Sequence, residues 1–69
     1  MEGVRGSVKF FDKAKGFGFI TRDDGQADVF MHVTDLRKGG ILEVTPDDRL
    51  MFDVEPGERG PRAQNIQRA

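Results

Sequence analysis

Apolar residues in this chain alternate with other residues over runs of strand length, and this pattern limits the fold more than any other feature. Val4 and Val8 belong to one such run, and Leu50, Phe52 and Val54 form another. A period of two places neighbouring side chains on opposite faces of an extended chain, whereas an amphipathic helix has a period near 3.6. The pattern therefore predicts a protein built from short β-strands.

Turn-forming residues separate five predicted strands. The short segments 13–16, 23–26 and 55–61 each join two strands, and the step from Asp24 to Gly25 is a strong hairpin signal. Pro56 and Pro61 are expected to end ladder pairing in the third segment, so that the last strand lies at 63–66. The longer connection, 33–48, has room for one helical turn at 33–37. We expect its apolar residues to fold back onto one end of the fold: Ile41, Leu42 and Val44.

The length of the chain sets the architecture. A chain of 69 residues of which 36% are apolar can form one small core, and hence one domain. Five short strands are too few for a two-layer sandwich, and closing the sheet removes exposed edges that would promote aggregation. We predict an all-β fold, a five-stranded antiparallel barrel, in a single domain over residues 1–69 with its core at about 3–66.

The composition excludes several classes of site. With no cysteine and one histidine, His32, the chain has no disulfide, no thiolate metal site and no histidine-rich zinc site. The acidic residues at 23–28 lack the spacing of an EF-hand loop, and no nucleophile lies in a pattern typical of catalysis. No apolar run reaches the roughly 20 residues of a membrane span, and no signal peptide is evident. We expect a cytoplasmic monomer that is not an enzyme and needs no metal or cofactor.

The second and third strands are apolar on both faces, which is unusual for a sheet with one face in water. Ile20, Val29 and Met31 suffice for the core side. The opposite side then carries four neighbouring residues: Phe17, Phe19, Phe30 and His32. An exposed patch of this kind predicts a binding partner. The alternative is a second core, in which segment 33–48 covers the rings.

Basic residues surround the predicted patch, although the net charge is only −1. Residues 1–22 contain two acidic side chains and five basic ones, which include Lys9, Lys13 and Lys15. Rings that stack on bases beside cations that contact phosphates are typical of proteins that bind single-stranded nucleic acid. Side chains at Gly16 and Gly18 would crowd the backbone of such a ligand or the neighbouring ring. Two other functions remain open: a protein-interaction barrel that uses the same aromatic face, and a small metal-dependent hydrolase.

The two aromatic strands carry known motifs. Residues 15–20 read Lys-Gly-Phe-Gly-Phe-Ile and resemble the first ribonucleoprotein motif, and residues 29–32 read Val-Phe-Met-His and resemble the second. Together with the turn at 23–25 and the segment Gly-Pro-Arg-Ala-Gln-Asn-Ile at 60–66, they make the chain similar to the bacterial cold-shock protein family over about residues 3–66. Domains of the RNA-recognition-motif class share the first motif but carry the two motifs in reverse order.

The resemblance implies a five-stranded OB-fold barrel, a cold-shock domain, that binds single-stranded RNA and DNA. Members of that family are described as RNA chaperones and transcription antiterminators that regulate gene expression in the stress response. The resemblance also implies that the rings stack on bases, that the cations hold phosphates, and that His32 stacks or donates a hydrogen bond. Carried over by position, the implied nucleic-acid-binding residues are Lys9, Phe10, Lys15, Phe17, Phe19, Asp24, Phe30, His32 and Arg59.

Four positions depart from the family pattern. Phe10 stands where the family usually has tryptophan, Asp12 replaces asparagine, and Val33 occupies a position where phenylalanine is usual. Ile41 takes the place of a loop aromatic. Smaller stacking surfaces predict weaker binding in the same mode. Alternation alone does not decide whether Phe10 or Phe11 faces the ligand.

Overall fold

The computed structural model describes residues 2–69, which form five strands and one short helix. The helix, α1 (Val33–Lys38), follows the third strand directly. The sheet closes into a barrel in the order β1-β2-β3-β5-β4, with β4 paired to β1. This confirms the predicted five-stranded barrel. The strands are β1 (Val4–Asp12), β2 (Phe17–Arg22), β3 (Val29–His32), β4 (Arg49–Gly57) and β5 (Gly60–Arg68).

One strand pair in the barrel is parallel. β3 and β5 run in the same direction, with Phe30 opposite Arg62, whereas the other four pairs are antiparallel. A closed ring with an odd number of strands cannot alternate in direction all the way round. The antiparallel barrel of the prediction therefore contains one parallel pair.

The core is formed by apolar side chains from every strand and from α1. Ile20, Val29 and Met31 are fully buried, as predicted. The helix packs on β3 and β5 and buries Leu36. The other buried apolar residues are Val4, Val8, Ile41, Val44, Leu50, Phe52, Ala63 and Ile66.

The connection after α1 folds back onto the core only in part. Ile41 and Val44 are buried, but Leu42 is 83% exposed, so the expectation for Leu42 is wrong. The amide of Ile41 donates to the Leu36 carbonyl at 2.9 Å. This bond directs Ile41 inward, whereas the next side chain, that of Leu42, points to solvent.

The hairpin between β4 and β5 is longer than predicted. Pairing continues through Pro56 opposite Pro61 and through Gly57 opposite Gly60. The expectation that the two prolines end the ladder is therefore wrong. Antiparallel ladders alternate between hydrogen-bonded and non-hydrogen-bonded pairs, and two prolines that face each other fit a pair of the second kind because neither amide is needed there.

Candidate nucleic-acid interface

Four phenylalanine rings form a continuous cluster on the outer face of β1, β2 and β3. Strand register explains the cluster, because Phe19 lies opposite Phe30 across the β2–β3 ladder. Neighbouring ring centroids are 5.6–6.4 Å apart, and the Phe17 and Phe30 rings are stacked with 28° between their planes. We call this cluster the aromatic platform; its members are Phe10, Phe17, Phe19 and Phe30.

A bulge in β1 brings Phe10 onto the platform. Val8 pairs with Ile20, but the next pair is Phe10 with Phe19, so Lys9 is an extra residue in the strand. In a regular strand Phe10 would share the inward face of Val8, two residues earlier. Phe10 is instead 41% exposed, while Phe11 packs against the core. The bulge thus settles which of the two rings faces outward.

The platform is open to solvent. Phe17, Phe19 and Phe30 are half-buried, and their ring contacts are with one another, with Phe10 and with Arg59. Segment 33–48 contributes Leu36, Ile41 and Val44 to the core, and its Leu42 is exposed. This arrangement disagrees with the alternative of a second core.

Arg59 lies over the platform from the turn of the β4–β5 hairpin. Its guanidinium carbon is 5.9 Å from the Phe17 ring centroid and 5.8 Å from that of Phe30, within the range of a cation–π contact. Lys15 and His32 line the same groove as these three residues. Neither Lys15 nor Arg59 is paired with a carboxylate of residues 2–69. Two cations beside stacked rings are therefore available to phosphates.

Two other lysines near the platform are paired within the protein. The Lys9 ammonium lies 3.0 Å from the carboxylate of Asp28, and that of Lys13 lies 2.6 Å from Glu43. The hydrogen bond from Lys13 holds the pKa of Glu43 below its usual range. All four side chains are at least partly exposed, and exposed ion pairs of this kind are weak. Phosphates can therefore compete for both ammonium groups.

Asp24 is not brought to the platform. Its carboxylate accepts hydrogen bonds from the Arg22 guanidinium at 3.0 and 2.5 Å and from the amide of Gln26 at 3.1 Å. These bonds, that from Arg22 above all, hold the pKa of Asp24 below its usual range. Sequence reasoning missed Asp28, which contacts Lys9. The available signal was its position directly before β3.

Asp12, which departs from the family pattern, shapes the turn between β1 and β2. Its carboxylate accepts from the amide of Ala14 at 2.9 Å and from that of Lys15 at 3.1 Å. An asparagine oxygen can accept the same two bonds, so this substitution preserves the turn. What it adds is a negative charge next to Lys15.

The two glycines at the start of β2 serve the fold. A Cβ atom on Gly18 would lie 2.3 Å from the backbone oxygen of Phe10 and 2.9 Å from the Cα of Phe11. Gly16 has a φ of 73°, and a Cβ there would lie 3.2 Å from a methyl group of Val33. At Gly18 the added Cβ would also lie 2.9 Å from a ring atom of Phe11, so the crowding of a neighbouring ring is confirmed there, whereas the atoms nearest to both positions belong to the protein itself.

Neither a metal-binding cluster nor a membrane-spanning helix is found in the part of the chain that the structure describes. No group of three or more histidine, aspartate or glutamate side chains in residues 2–69 is placed to hold a metal ion. No helix in that range is long and apolar enough to cross a membrane. A closed five-stranded barrel with exposed rings and cations defines a protein of the OB-fold class, many of whose members bind oligonucleotides.

Sequence comparisons narrow this class to one family. The family model described as the 'Cold-shock' DNA-binding domain matches residues 4–69. The chain is 48% identical over 62 residues to a cold shock-like protein of Aquifex aeolicus. The matched region covers 90% of this chain and 89% of the relative. It is 39% identical over 66 residues to the cold shock-like protein CspE of Escherichia coli, with 96% of each covered. The chain belongs to the cold-shock domain family and is a nucleic-acid-binding cold-shock protein.

A solved structure gives the same result at the level of the fold. The structure described as drosophila Unr CSD456 superposes with a TM-score of 0.73 and 26% sequence identity. The match covers 96% of this chain and 26% of that longer chain. The likeness therefore concerns one domain of the larger protein.

Proposed function

We propose that this protein binds single-stranded RNA and DNA on the aromatic platform and acts without catalysis in the cytoplasm, as an RNA chaperone and transcription antiterminator. The observation that carries the proposal is the cluster of four adjacent outward rings with Lys15 and Arg59 beside it. Stacking on a protein ring contributes roughly 1–3 kcal/mol per base. Bases in a duplex are already stacked between their neighbours, so the protein prefers unpaired strands.

Preference for unpaired strands is sufficient for chaperone activity. A ligand that binds one of two states shifts the population toward that state. Hairpins whose stability is smaller than the summed stacking energy therefore open without ATP or another fuel. Because one chain supplies every ring of the platform, a monomer is sufficient.

A protein-docking role would use the same rings, and the salt dependence separates the two functions. For single strands the logarithm of the binding constant falls with the logarithm of salt concentration at about −0.7 per neutralised phosphate. An apolar contact with another protein changes little over the same range. Lys15 and Arg59 favour the nucleic-acid function, since neither is neutralised by a carboxylate in residues 2–69.

The test is a calorimetric titration of single-stranded RNA, single-stranded DNA and a matched duplex at two salt concentrations. We expect both single strands to bind and the duplex not to bind. Phe17→Ala and Phe30→Ala should each weaken binding by roughly 1–3 kcal/mol with the fold intact. Met51→Ala is the matched control, because Met51 is half-buried on β4, which carries no ring of the platform. If both phenylalanine variants bind like the parent protein, the proposal is wrong.

A further inference from the structure

The turn between β2 and β3 contains an aspartate that is followed directly by a glycine. Asp24 precedes Gly25, whereas each of the other aspartates, and the single asparagine, Asn65, precedes a residue that has a side chain. A Cβ atom next to a backbone nitrogen hinders attack by that nitrogen, and glycine has no Cβ. Asp24 is therefore the position in the sequence at which a side-chain carboxyl is most open to the backbone nitrogen of its neighbour.

The folded turn brings these two groups together. The Asp24 carboxylate extends forward along the chain, past Gly25, and accepts a hydrogen bond from the amide of Gln26 at 3.1 Å. A bond of this kind keeps the carboxyl group beside the intervening peptide. Gly25 is exposed, has a φ of 79°, and has no atom within 4 Å of the position of an added Cβ. The carboxyl carbon and the backbone nitrogen are thus close, with open space around them.

Arg22 holds the same carboxylate in its ionised form. Its Nε donates to Oδ1 of Asp24 at 3.0 Å, and its Nη2 donates to Oδ2 at 2.5 Å. These bonds, followed by the bond from Gln26, hold the pKa of Asp24 below its usual range. Departure of a carboxyl oxygen as water requires its protonation, so the ionised form resists attack. The Arg22 side chain is only 5% exposed, which keeps the guanidinium in this position.

We propose that Asp24 is a site of covalent isomerisation and that Arg22 suppresses the reaction in the folded protein. The backbone nitrogen of Gly25 attacks the carboxyl carbon of Asp24. A C–N bond forms, and water leaves, made of the carboxyl hydroxyl and the amide hydrogen, to give a cyclic imide. Water then opens the imide. Opening at the side-chain carbonyl restores aspartate, and opening at the main-chain carbonyl gives isoaspartate, without oxidation or reduction.

Isomerisation alters the connection between two strands of the aromatic platform. Isoaspartate carries the chain through Cβ and Cγ, so the turn gains a backbone carbon. Its free carboxylate is the former main-chain carboxyl, which lies away from the position that Arg22 holds. The turn joins β2, which carries Phe17 and Phe19, to β3, which carries Phe30. The inference concerns the covalent chain alone and does not depend on the proposed function.

The test is incubation of the purified chain in neutral buffer at physiological temperature over several weeks. Isoaspartate is counted with a protein isoaspartyl methyltransferase and labelled S-adenosylmethionine, and peptide mass spectrometry locates the imide as a species lighter by one water. We expect Asp24 to react about tenfold faster in protein kept unfolded in guanidinium chloride than in the folded protein, because unfolding removes the bonds from Arg22. Reaction at another position, or equal rates in the two states, would overturn the proposal.

Arg22→Gln tests the suppression directly, and Arg49→Gln is the matched control. Arg49 forms the same kind of pair with Asp23 in the same turn, but the residue after Asp23 has a Cβ. We expect Asp24 to react about fivefold to tenfold faster in Arg22→Gln than in the parent protein, because two charge-assisted hydrogen bonds are lost. Arg49→Gln should keep the parent rate. Equal rates in Arg22→Gln and the parent protein, or equal acceleration by both substitutions, would overturn the protective role.

Two further variants separate this local effect from a loss of stability, since Arg22 is buried. Val8→Ala lowers stability through a cavity in the core and should leave the rate at Asp24 unchanged. Gly25→Ala combined with Arg22→Gln should abolish the acceleration, because a Cβ then lies next to the attacking nitrogen. A reaction in Val8→Ala as fast as in Arg22→Gln, or acceleration that persists with Gly25→Ala, would contradict the proposal.

Discussion

Phe10 and Phe11 are neighbours in the chain, yet one ring belongs to the aromatic platform and the other to the core. Phe10 lies 5.6 Å from Phe19 and 6.3 Å from Phe17 between ring centroids, whereas Phe11 packs against buried residues. Alternation along the strand puts the two rings on opposite faces, and the extra residue at Lys9 makes Phe10 the outward one. Substitution of the two rings should therefore affect two different properties.

We predict that Phe10→Ala weakens binding of a single strand by roughly 1–3 kcal/mol and leaves the free energy of unfolding nearly unchanged. Phe11→Ala should lower the free energy of unfolding by about 1–3 kcal/mol, which is less than for a fully buried ring, and leave the affinity of the folded protein intact. Urea unfolding and calorimetric titration measure the two quantities. A Phe10→Ala variant that is as unstable as Phe11→Ala and binds normally would show that the rings have been assigned to the wrong roles.

Arg59 supplies both a charge and a planar group, and two substitutions distinguish them. Arg59→Ala should reduce the slope of the log–log salt dependence by about 0.7, because one phosphate contact is lost. Arg59→Lys should keep the slope but bind more weakly, since an ammonium group does not stack as a guanidinium does. Arg37→Ala, on the exposed side of α1, serves as the control and should leave the slope unchanged. A slope that Arg59→Ala does not alter would argue against a phosphate contact.

At the scale of elements, periodicity predicted the faces of β2 and β3 correctly but not the departures from regular pairing. Ile20, Val29 and Met31 lie inside, and Phe17 lies outside, because a regular strand has only two faces. The bulge at Lys9 depends on how β1 fits β2, and that fit involves two strands at once. The pairing of the two prolines and the exposure of Leu42 likewise depend on tertiary contacts that no single segment specifies.

The candidate site was likewise predicted only in part from the sequence. The resemblance to a family named the residues that share the groove, among them Lys15, His32 and Arg59. It did not indicate that Asp24 pairs with Arg22, because that contact depends on how the turn after β2 folds. An ion pair in a turn depends on the folded conformation of that turn, which the alternation of apolar residues does not predict.

The close approach of β1 and β2 gives a prediction at the same scale. Gly18→Ala should lower the free energy of unfolding by about 3 kcal/mol and speed amide exchange in both strands, because its Cβ would overlap the backbone of β1. Gly25→Ala is the matched control. It has a φ of 79° with no atom near the added Cβ, so only backbone strain of about 1 kcal/mol is expected. Equal losses in the two variants, measured by urea unfolding, would argue against the steric explanation.

At the scale of the whole molecule, the net charge is small, but the basic side chains fall into two groups: those paired with carboxylates and those that are not. Four cations that do not line the groove are paired with carboxylates: Arg22, Arg49, Arg62 and Arg68. Lys15 and Arg59, which line the groove, have no such partner in residues 2–69. The electrostatic potential at a bound phosphate is set by nearby charges, and a total charge of −1 therefore does not oppose binding.

The carboxylates that accept hydrogen bonds in the folded protein predict how its stability depends on pH. The backbone amide of Thr45, followed by other donors, lowers the pKa of Asp48 below its ordinary value of 3.8, and the Asn65 amide has the same effect on Asp53. A carboxyl with a lowered pKa in the folded protein stabilises the fold above its unfolded pKa, and this contribution is lost as pH falls through the folded value. We expect stability to be nearly constant from neutral pH down to about pH 5 and to fall below about pH 4.

Urea unfolding across this range tests the sign, and two variants test the cause. Asp48→Asn should show a smaller loss of stability in acid than the parent protein, whereas Glu58→Gln, at the exposed hairpin turn, should behave like the parent. A protein that gains stability on acidification would contradict the contribution assigned to these carboxylates.

The most direct test of the central claim uses the six phenylalanine rings of the chain as internal reporters. In a protein with ¹³C-labelled rings, the ring signals are followed by NMR while a short oligouridylate is added at low salt. We predict that the four signals of the aromatic platform move with the titration, while those of Phe11 and Phe52, which face the core, stay nearly fixed. Bound strand with no movement of the four platform signals, or with equal movement of all six, would contradict the assignment of the outward rings as the binding surface.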